Sequence, residues 1–254
     1  MNPDAQPALP PIAGYHPTTL IDWPGRLAAI VFLPGCNLRC GFCHAGSLLA
    51  PPDESIPLEA VLENIAEREG WVDGVVICGG EPTVWPTLED FIRRFRERGL
   101  AVKLDTNGTH PARLARLIDS RLADAVAMDV KAPLDERYAA ACGKPDLDLG
   151  AVGRSIDLLL AASAASAVEV EFRTTLCPAV VGEAEIRAIG RRIARARRWV
   201  LQRYEPSGAL DPALRQVAPY GPAQMEALAE IGRAYVARCV IRGQPEPQGV
   251  EAGR

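Results

Sequence analysis

Three of the seven cysteines fall within eight residues, as Cys36, Cys40 and Cys43 in the run Gly35-Cys-Asn-Leu-Arg-Cys-Gly-Phe-Cys-His44. Thiolates this close repel one another and are best stabilised by a shared soft metal centre. A structural zinc site wants four protein ligands, usually in Cys-x2-Cys pairs, and a second pair is missing from the sequence. His44 could serve as a fourth ligand, but its place directly after Cys43 makes tetrahedral closure awkward. A four-iron cluster is normally held by four cysteines, so three leave one iron open to a small molecule. The spacing therefore favours an iron–sulfur cluster over zinc, and either over buried structural thiols. Cys78, Cys142, Cys177 and Cys239 share no ligand spacing and read as core or incidental cysteines.

The remaining chemistry-bearing residues sit at recurrent positions. Short apolar runs at 27–33, 74–78, 101–104, 124–130, 168–176 and 199–204 predict six buried strands. Helical spacing over 58–68, 88–98, 111–121, 150–164, 182–197 and 222–237 predicts the helices between and after them. Strands alternating with helices predict an α/β fold with a parallel sheet and right-handed crossovers. The cysteine loop, Gly79-Gly80-Glu81-Pro82, Asp105-Thr106-Asn107-Gly108 and Asp129-Val130-Lys131 each lie at or just after the end of such a strand. In a parallel barrel those ends share one face, where chemistry is placed. Singly, each motif has a plainer reading as a tight turn, an Asx turn or a solvated lysine.

Composition narrows the class further. The 254 residues are 48% apolar and 24% charged, which suits a soluble globular chain with a sizeable core. A net charge of −4 gives no bulk electrostatic reason to bind nucleic acid. The longest stretch free of charge, glycine and proline, 158–168, is too short to span a membrane, a task needing ~20 apolar residues. The proline-rich start does not resemble a secretory signal, so a cytoplasmic location with reduced thiols is expected. Residues 1–15 read as a flexible lead-in, 16–243 as one core domain ending in a helix, and 244–254 as a frayed tail. Six arginines between Arg187 and Arg198 read as a solvated helix face, with an acidic-partner dock as the alternative.

Cys36-x3-Cys40-x2-Cys43 with Phe42 before the third cysteine resembles the cluster loop of radical S-adenosylmethionine (SAM) enzymes. Gly79-Gly80-Glu81-Pro82 is similar to their SAM-contacting motif. Ile21-Asp-Trp-Pro-Gly25, Leu104-Asp-Thr-Asn-Gly108 and Ala127-Met-Asp-Val-Lys131 resemble, more narrowly, activating enzymes for glycyl-radical enzymes. The chain departs from that pattern after Cys43, with His44-Ala45-Gly46 where the family commonly has His-Asn-Pro.

The resemblance implies a partial (β/α)6 TIM-like barrel of the radical SAM type. It implies a [4Fe–4S] cluster on Cys36, Cys40 and Cys43, with SAM on the open iron. Gly79, Gly80 and Glu81 would meet the SAM ammonium and Phe42 the adenine. Asp105, Thr106 and Asp129 are similar to residues that hold a monovalent cation, and Lys131 and Arg173 would be further SAM contacts. One-electron cleavage of SAM would yield a 5′-deoxyadenosyl radical that takes a hydrogen atom from a partner's glycine. The implied partners are a glycyl-radical enzyme, foremost an anaerobic ribonucleotide reductase, and a flavodoxin or ferredoxin as electron donor. The alternatives are an activase of the pyruvate formate-lyase type, or a small-molecule radical SAM enzyme such as 7-carboxy-7-deazaguanine synthase.

Overall fold

A computed structural model describes residues 8–243. Eight strands form one sheet in chain order, β1 (Gly14–Thr19), β2 (Ala28–Leu33), β3 (Gly74–Gly79), β4 (Ala101–Thr106), β5 (Ala125–Asp129), β6 (Glu169–Leu176), β7 (Trp199–Arg203) and β8 (Cys239–Arg242). β2 to β8 run parallel, while β1 is antiparallel to β2. The crossovers are α1 (Leu58–Ala66), α2 (Leu88–Arg96), α3 (Pro111–Asp119), α4 (Glu136–Ala141) with α5 (Leu149–Ala164), α6 (Glu183–Arg192) and α7 (Pro222–Arg233). These are six strand–helix units followed by a last strand. Because β1 and β8 do not pair, the sheet is an unclosed, partial TIM-like barrel.

Local sequence explains most of these elements. In α2, Leu88, Phe91, Ile92 and Phe95 recur at i, i+3, i+4 and i+7 and are fully buried against the sheet. Its outer face carries Arg93 and Arg94, which pair with Asp90 and Glu59. α5 starts where Asp148 accepts the Ala151 N–H at 3.0 Å, and α3 opens with Pro111, which has no N–H to waste there. β2 reads Ala-Ala-Ile-Val-Phe-Leu with both faces covered, as a parallel strand requires.

Three elements escaped the periodicity. β1 contains Pro17, tolerable only because this is an edge strand. β8 is four residues long and follows α7 too closely to show a pattern of its own. α4 is a six-residue turn capped by Asp135, which accepts the Arg137 N–H. Residues 8–15, expected within a flexible lead-in, are instead tied to the body. Ile12 is buried and bridges Ile56, the Ala13 N–H donates to the Phe32 carbonyl, and Thr87 Oγ1 donates to the Ala8 carbonyl. The free edge of β2 and its helical layer supply partners that a proline-rich sequence cannot advertise. The rest of that lead-in and the tail at 244–254 lie outside the described residues.

Two packings flank the sheet. The outer one, between sheet and helices, holds most of the apolar core. The inner one fills the lumen floor with small residues, Ala28, Ile30, Val76 and Ala125, around Trp23 from the β1–β2 loop. Gly74 leaves room for that ring, since a Cβ there would lie 3.1 Å from Trp23 Cζ3. Arg26 stacks 5.0 Å from the ring centroid on the solvent side, and the indole N–H donates to Glu169. Within the Ile21–Gly25 motif Trp23 is thus the plug of the barrel floor, while Ile21, Pro24 and Gly25 are exposed. Trp23→Ala should lower stability by about 3–5 kcal/mol, read from the urea midpoint; a loss under about 1 kcal/mol would show the floor is not held this way.

Candidate active site

The carboxyl ends of β2 to β6 bring the sequence-selected residues to one rim. The cysteine loop leaves β2 at Leu33 and folds back over the turn after β3. Gly80 N–H donates to the Leu33 carbonyl and Glu81 N–H to the Gly35 carbonyl, at 2.9 and 2.7 Å. This close approach needs glycine. Gly79 has φ +120°, and a Cβ there would sit 2.6 Å from Leu33 N; a Cβ on Gly80 would sit 2.6 Å from the Gly35 carbonyl carbon. The glycine pair therefore seats the cysteine loop as well as lining the cavity above it.

Glu81 does not point into that cavity. Its carboxylate is fully buried and accepts from Thr83 N–H, Thr83 Oγ1 and Thr106 Oγ1 on one oxygen and from Asn107 N–H on the other. Burial pushes its carboxyl up, against the hydrogen bonds that favour the anion. The Glu81 side chain is thus a tie between the ends of β3 and β4, and its backbone adjoins the cavity turn. Thr106 is drawn into the same tie. Asn107 Nδ2 then donates to Asn37 in the cysteine loop at 2.9 Å, and Asn37 donates to Thr109 at 2.9 Å.

Cys36, Cys40 and Cys43 line one cavity of about 480 Å³ together with Phe42, Gly79, Gly80, Asp105, Asp129, Lys131 and Arg173. The volume is that of a small-molecule site. Phe42 is buried, presenting an apolar wall beside the thiols. Arg173, paired across the sheet with Asp129, donates to Asp129 Oδ1 at 2.9 Å and to Asp105 Oδ2 at 2.5 Å. Asp129 also takes Lys131 at 3.2 Å. The two carboxylates considered for a monovalent cation are thus joined by a guanidinium. Asp105 Oδ1 is buried with no hydrogen-bond partner among the described residues, and the Lys103 ammonium lies 3.8 Å from it.

Electrostatics separates the three thiols. Burial pushes Cys36 and Cys43 up. A hydrogen bond from the Cys142 thiol draws Cys40 down against its burial, with help from the Lys131 ammonium. Burial alone would favour neutral Lys131; Asp129 and then Cys40 outweigh it and hold the ammonium well above its usual range. Burial would likewise raise Asp129, but Arg173 and then Lys131 lower it to about 2.

Several wall residues were not selected from sequence. Cys142, read as incidental, stands behind Cys40, and its carbonyl accepts the Arg39 N–H at 2.9 Å. Gly143 beside it would press a Cβ against the Arg39 backbone, so this turn fits only without a side chain. Cys78 and Phe32 face the lumen by strand alternation with Val76 and Ile30, a signal present in the sequence. Gln202, Arg203 and Arg242 complete the far wall from β7 and β8. His110 Nδ1 lies 3.0 Å from Thr83 Oγ1, outside the cavity lining, while His44 lies within it.

The donor set fits an iron–sulfur cluster. Three thiols line a cavity that also offers cations for a carboxylate and an aromatic wall. Fold and rim together place three thiols at the strand C-termini of a partial barrel, the face where barrel enzymes do their chemistry.

Known proteins agree. Residues 30–162 match the radical SAM superfamily. A protein of Methanocaldococcus jannaschii named a glycyl-radical enzyme activating enzyme is 31% identical over 234 residues, covering 91% of this chain and 95% of its own. The 7-carboxy-7-deazaguanine synthase of Methanopyrus kandleri is 38% identical over 130 residues, 43% of this chain and 51% of that protein. A pyruvate formate-lyase-activating enzyme of Clostridium pasteurianum is 27% identical over 172 residues, 65% of this chain and 68% of its own. Streptococcus suis SuiB bound to S-adenosylmethionine superposes with a TM-score of 0.58 at 16% identity, over 84% of this chain and 52% of SuiB, which shows the shared fold. The chain is an enzyme of the radical SAM superfamily, and membership implies a [4Fe–4S] cluster and SAM.

Two outcomes follow from the rim. Glu81→Gln turns an amide NH2 toward a backbone N–H in either orientation, since each carboxylate oxygen accepts one. It should cost about 2–3 kcal/mol by denaturant midpoint and reduce iron retention; unchanged values would contradict the tie. Asp129 titrates at about 2 in the fold against an ordinary 3.8, so it stabilises the fold above that ordinary value and this contribution fades as pH falls toward 2. Its side chain is 31% exposed, which reduces the effect to roughly 1 kcal/mol. Asp129→Asn should accordingly lose less stability than wild type between acidities of about pH 5 and pH 2.5; equal losses would refute the pairing.

Proposed function

We propose that this chain activates a glycyl-radical enzyme, using SAM bound at its cluster to place a radical on a partner's backbone glycine. The observation that carries this is the 31% identity to the M. jannaschii activating enzyme across 95% of that protein's length. In this reading Cys36, Cys40 and Cys43 hold three irons, Gly79 and Gly80 offer backbone carbonyls to the SAM ammonium, and Phe42 packs against adenine. When bound, the reduced cluster supplies the electron that splits the sulfonium.

The chain's own contribution is to bind, orient and exclude water. Arg173 and Lys131 stay charged because Asp105 and Asp129 compensate them, so they can meet an anionic group without a proton moving. The buried wall of Phe42, Leu38 and Phe32 keeps bulk water from the reacting atoms.

For the partner we put an anaerobic ribonucleotide reductase first and a pyruvate formate-lyase second, with a flavodoxin or ferredoxin supplying the electron. The ordering rests on likeness at Leu104–Gly108 and Ala127–Lys131. Trp23 of the Ile21–Gly25 motif, now seen as a floor plug, bears on lumen packing instead. A small-molecule reading as 7-carboxy-7-deazaguanine synthase has one observation in its favour, the 38% identity to the M. kandleri synthase over 130 residues.

Anaerobically reconstituted protein should carry about four irons per chain and release 5′-deoxyadenosine and methionine when reduced with SAM. Cys40→Ala should abolish both colour and cleavage. Adding the correct reductase should produce a glycyl doublet in electron paramagnetic resonance. Turnover of a purine precursor in the absence of any protein partner would replace this reading with the small-molecule one.

A further inference from the structure

The opposite end of the barrel holds a second concavity, of about 600 Å³, that the reaction at the rim does not use. It lies among the N-terminal ends of β5 to β8 and the C-terminal ends of α3 and α5. In barrels of this kind that face ordinarily serves stability. Here its lining includes Arg96, Arg121, Arg197, Arg198 and Arg238 against only Asp124 and Glu169. A chain of net charge −4 thus concentrates an excess of positive charge at one concave spot.

Two of the five guanidinium groups are already committed. Arg96 pairs with Asp124 at 2.5 Å, and Arg198 with Glu171 at 2.7 Å. Arg121, Arg197 and Arg238 form no ion pair among the described residues; Arg197 is steered by a hydrogen bond to Ser166 Oγ at 3.1 Å. Gathering three uncompensated cations costs repulsion that an anion would relieve.

Two further observations point to a ligand. Ser163, on the last turn of α5, is 5% exposed and lines the concavity, yet its Oγ has no hydrogen-bond partner among the described residues. A buried hydroxyl without a partner is costly unless something else supplies one. In addition, Arg121 and Ser166 occupy left-handed backbone, with φ of 53° and 55°, just beyond the ends of α3 and α5. Glycine is the usual residue there; these helices give up that ease and present an arginine and a serine to the concavity instead.

We propose that this concavity is a binding site for a small phosphate-bearing molecule, held by Arg121, Arg197 and Arg238 with Ser163 Oγ as a hydrogen-bonding group. Guanidinium forks match phosphate oxygens in pairs, and the hydroxyl can donate to one of them. A concavity of about 600 Å³ suits a phosphate or nucleotide polyphosphate better than the broad surface of a protein. The site is independent of the reaction assigned to the rim.

The test is calorimetric titration of the full-length reconstituted protein, with SAM saturating the rim cavity so that it cannot take the probe. Pyrophosphate should bind and weaken as salt is raised. Arg121→Gly removes a charge while giving the left-handed position its preferred residue. Combined with Arg238→Gln it should weaken pyrophosphate binding by at least about tenfold. The Arg121→Gly single variant should melt no lower than wild type, and SAM cleavage should be unchanged in both. ADP binding more tightly than pyrophosphate would mark the ligand as a nucleotide, and equal affinities would mark phosphate groups alone; both support the site. No binding of pyrophosphate at about 10 mM, or affinity unaltered in the double variant, would overturn it.

Discussion

Glu81 gives its two carboxylate oxygens to four donors drawn from the ends of β3 and β4, and the rim depends on that arrangement. A wholly buried carboxylate is tolerable only when its acceptor sites are filled. Filling them fixes Thr83, Thr106 and Asn107 together, and Asn107 passes the constraint to Asn37 inside the cysteine loop. Meanwhile the Gly79–Gly80 backbone lies against Leu33 and Gly35, so the loop is pinned from below and from the side. Three mutually repelling thiols can be held ready for a shared cluster because the loop that carries them has few other places to go.

A second constraint organises the lumen above the apolar floor. Asp129, Arg173, Asp105, Lys103 and Glu171 form a chain of opposite charges, continued by Arg198 and Arg242. Each member is costly to bury alone and tolerable in company. The chain runs from the rim cavity toward the floor, where Lys103 Nζ also donates to the Asp22 carbonyl in the β1–β2 loop. Rim electrostatics and floor packing are therefore one connected system, with the bottom plug beside Trp23 touching the same lysine that approaches Asp105. This gives the Ile21–Gly25 motif a physical purpose that its likeness to activating enzymes could not specify.

Much of this was legible in the residues. The six strand–helix units were readable because parallel strands covered on both faces are uninterrupted apolar runs, as in Ala28–Leu33, and helices such as α2 show a clean spacing of buried residues. The cysteine loop was readable as a motif because its thiols are close in sequence. Less was legible where partners are distant or where an edge breaks the pattern. β1 hides behind Pro17, β8 is too short, and residues 8–15 look loose until the sheet edge gives them partners. The orientation of the Glu81 side chain was not legible. Its type and position suggested a ligand contact, while its orientation depended on donors from a strand about 25 residues onward.

By itself the sequence determined the spacing of the three clustered cysteines, the alternation of strands and helices, and hence which residues would end up on the rim. Those follow from local chemistry and from hydrophobic periodicity, both of which act over a few residues. Only the tertiary structure decided that Arg173 bridges Asp105 and Asp129, that Cys142 stands behind Cys40, that Glu81 turns inward, and that arginines from the end of α2 and three separate loops share one concavity. Hydrogen bonds and charge pairs between side chains far apart in the chain exist only once the sheet has fixed their register, because a shift of one residue along a strand would send each of them to the other face.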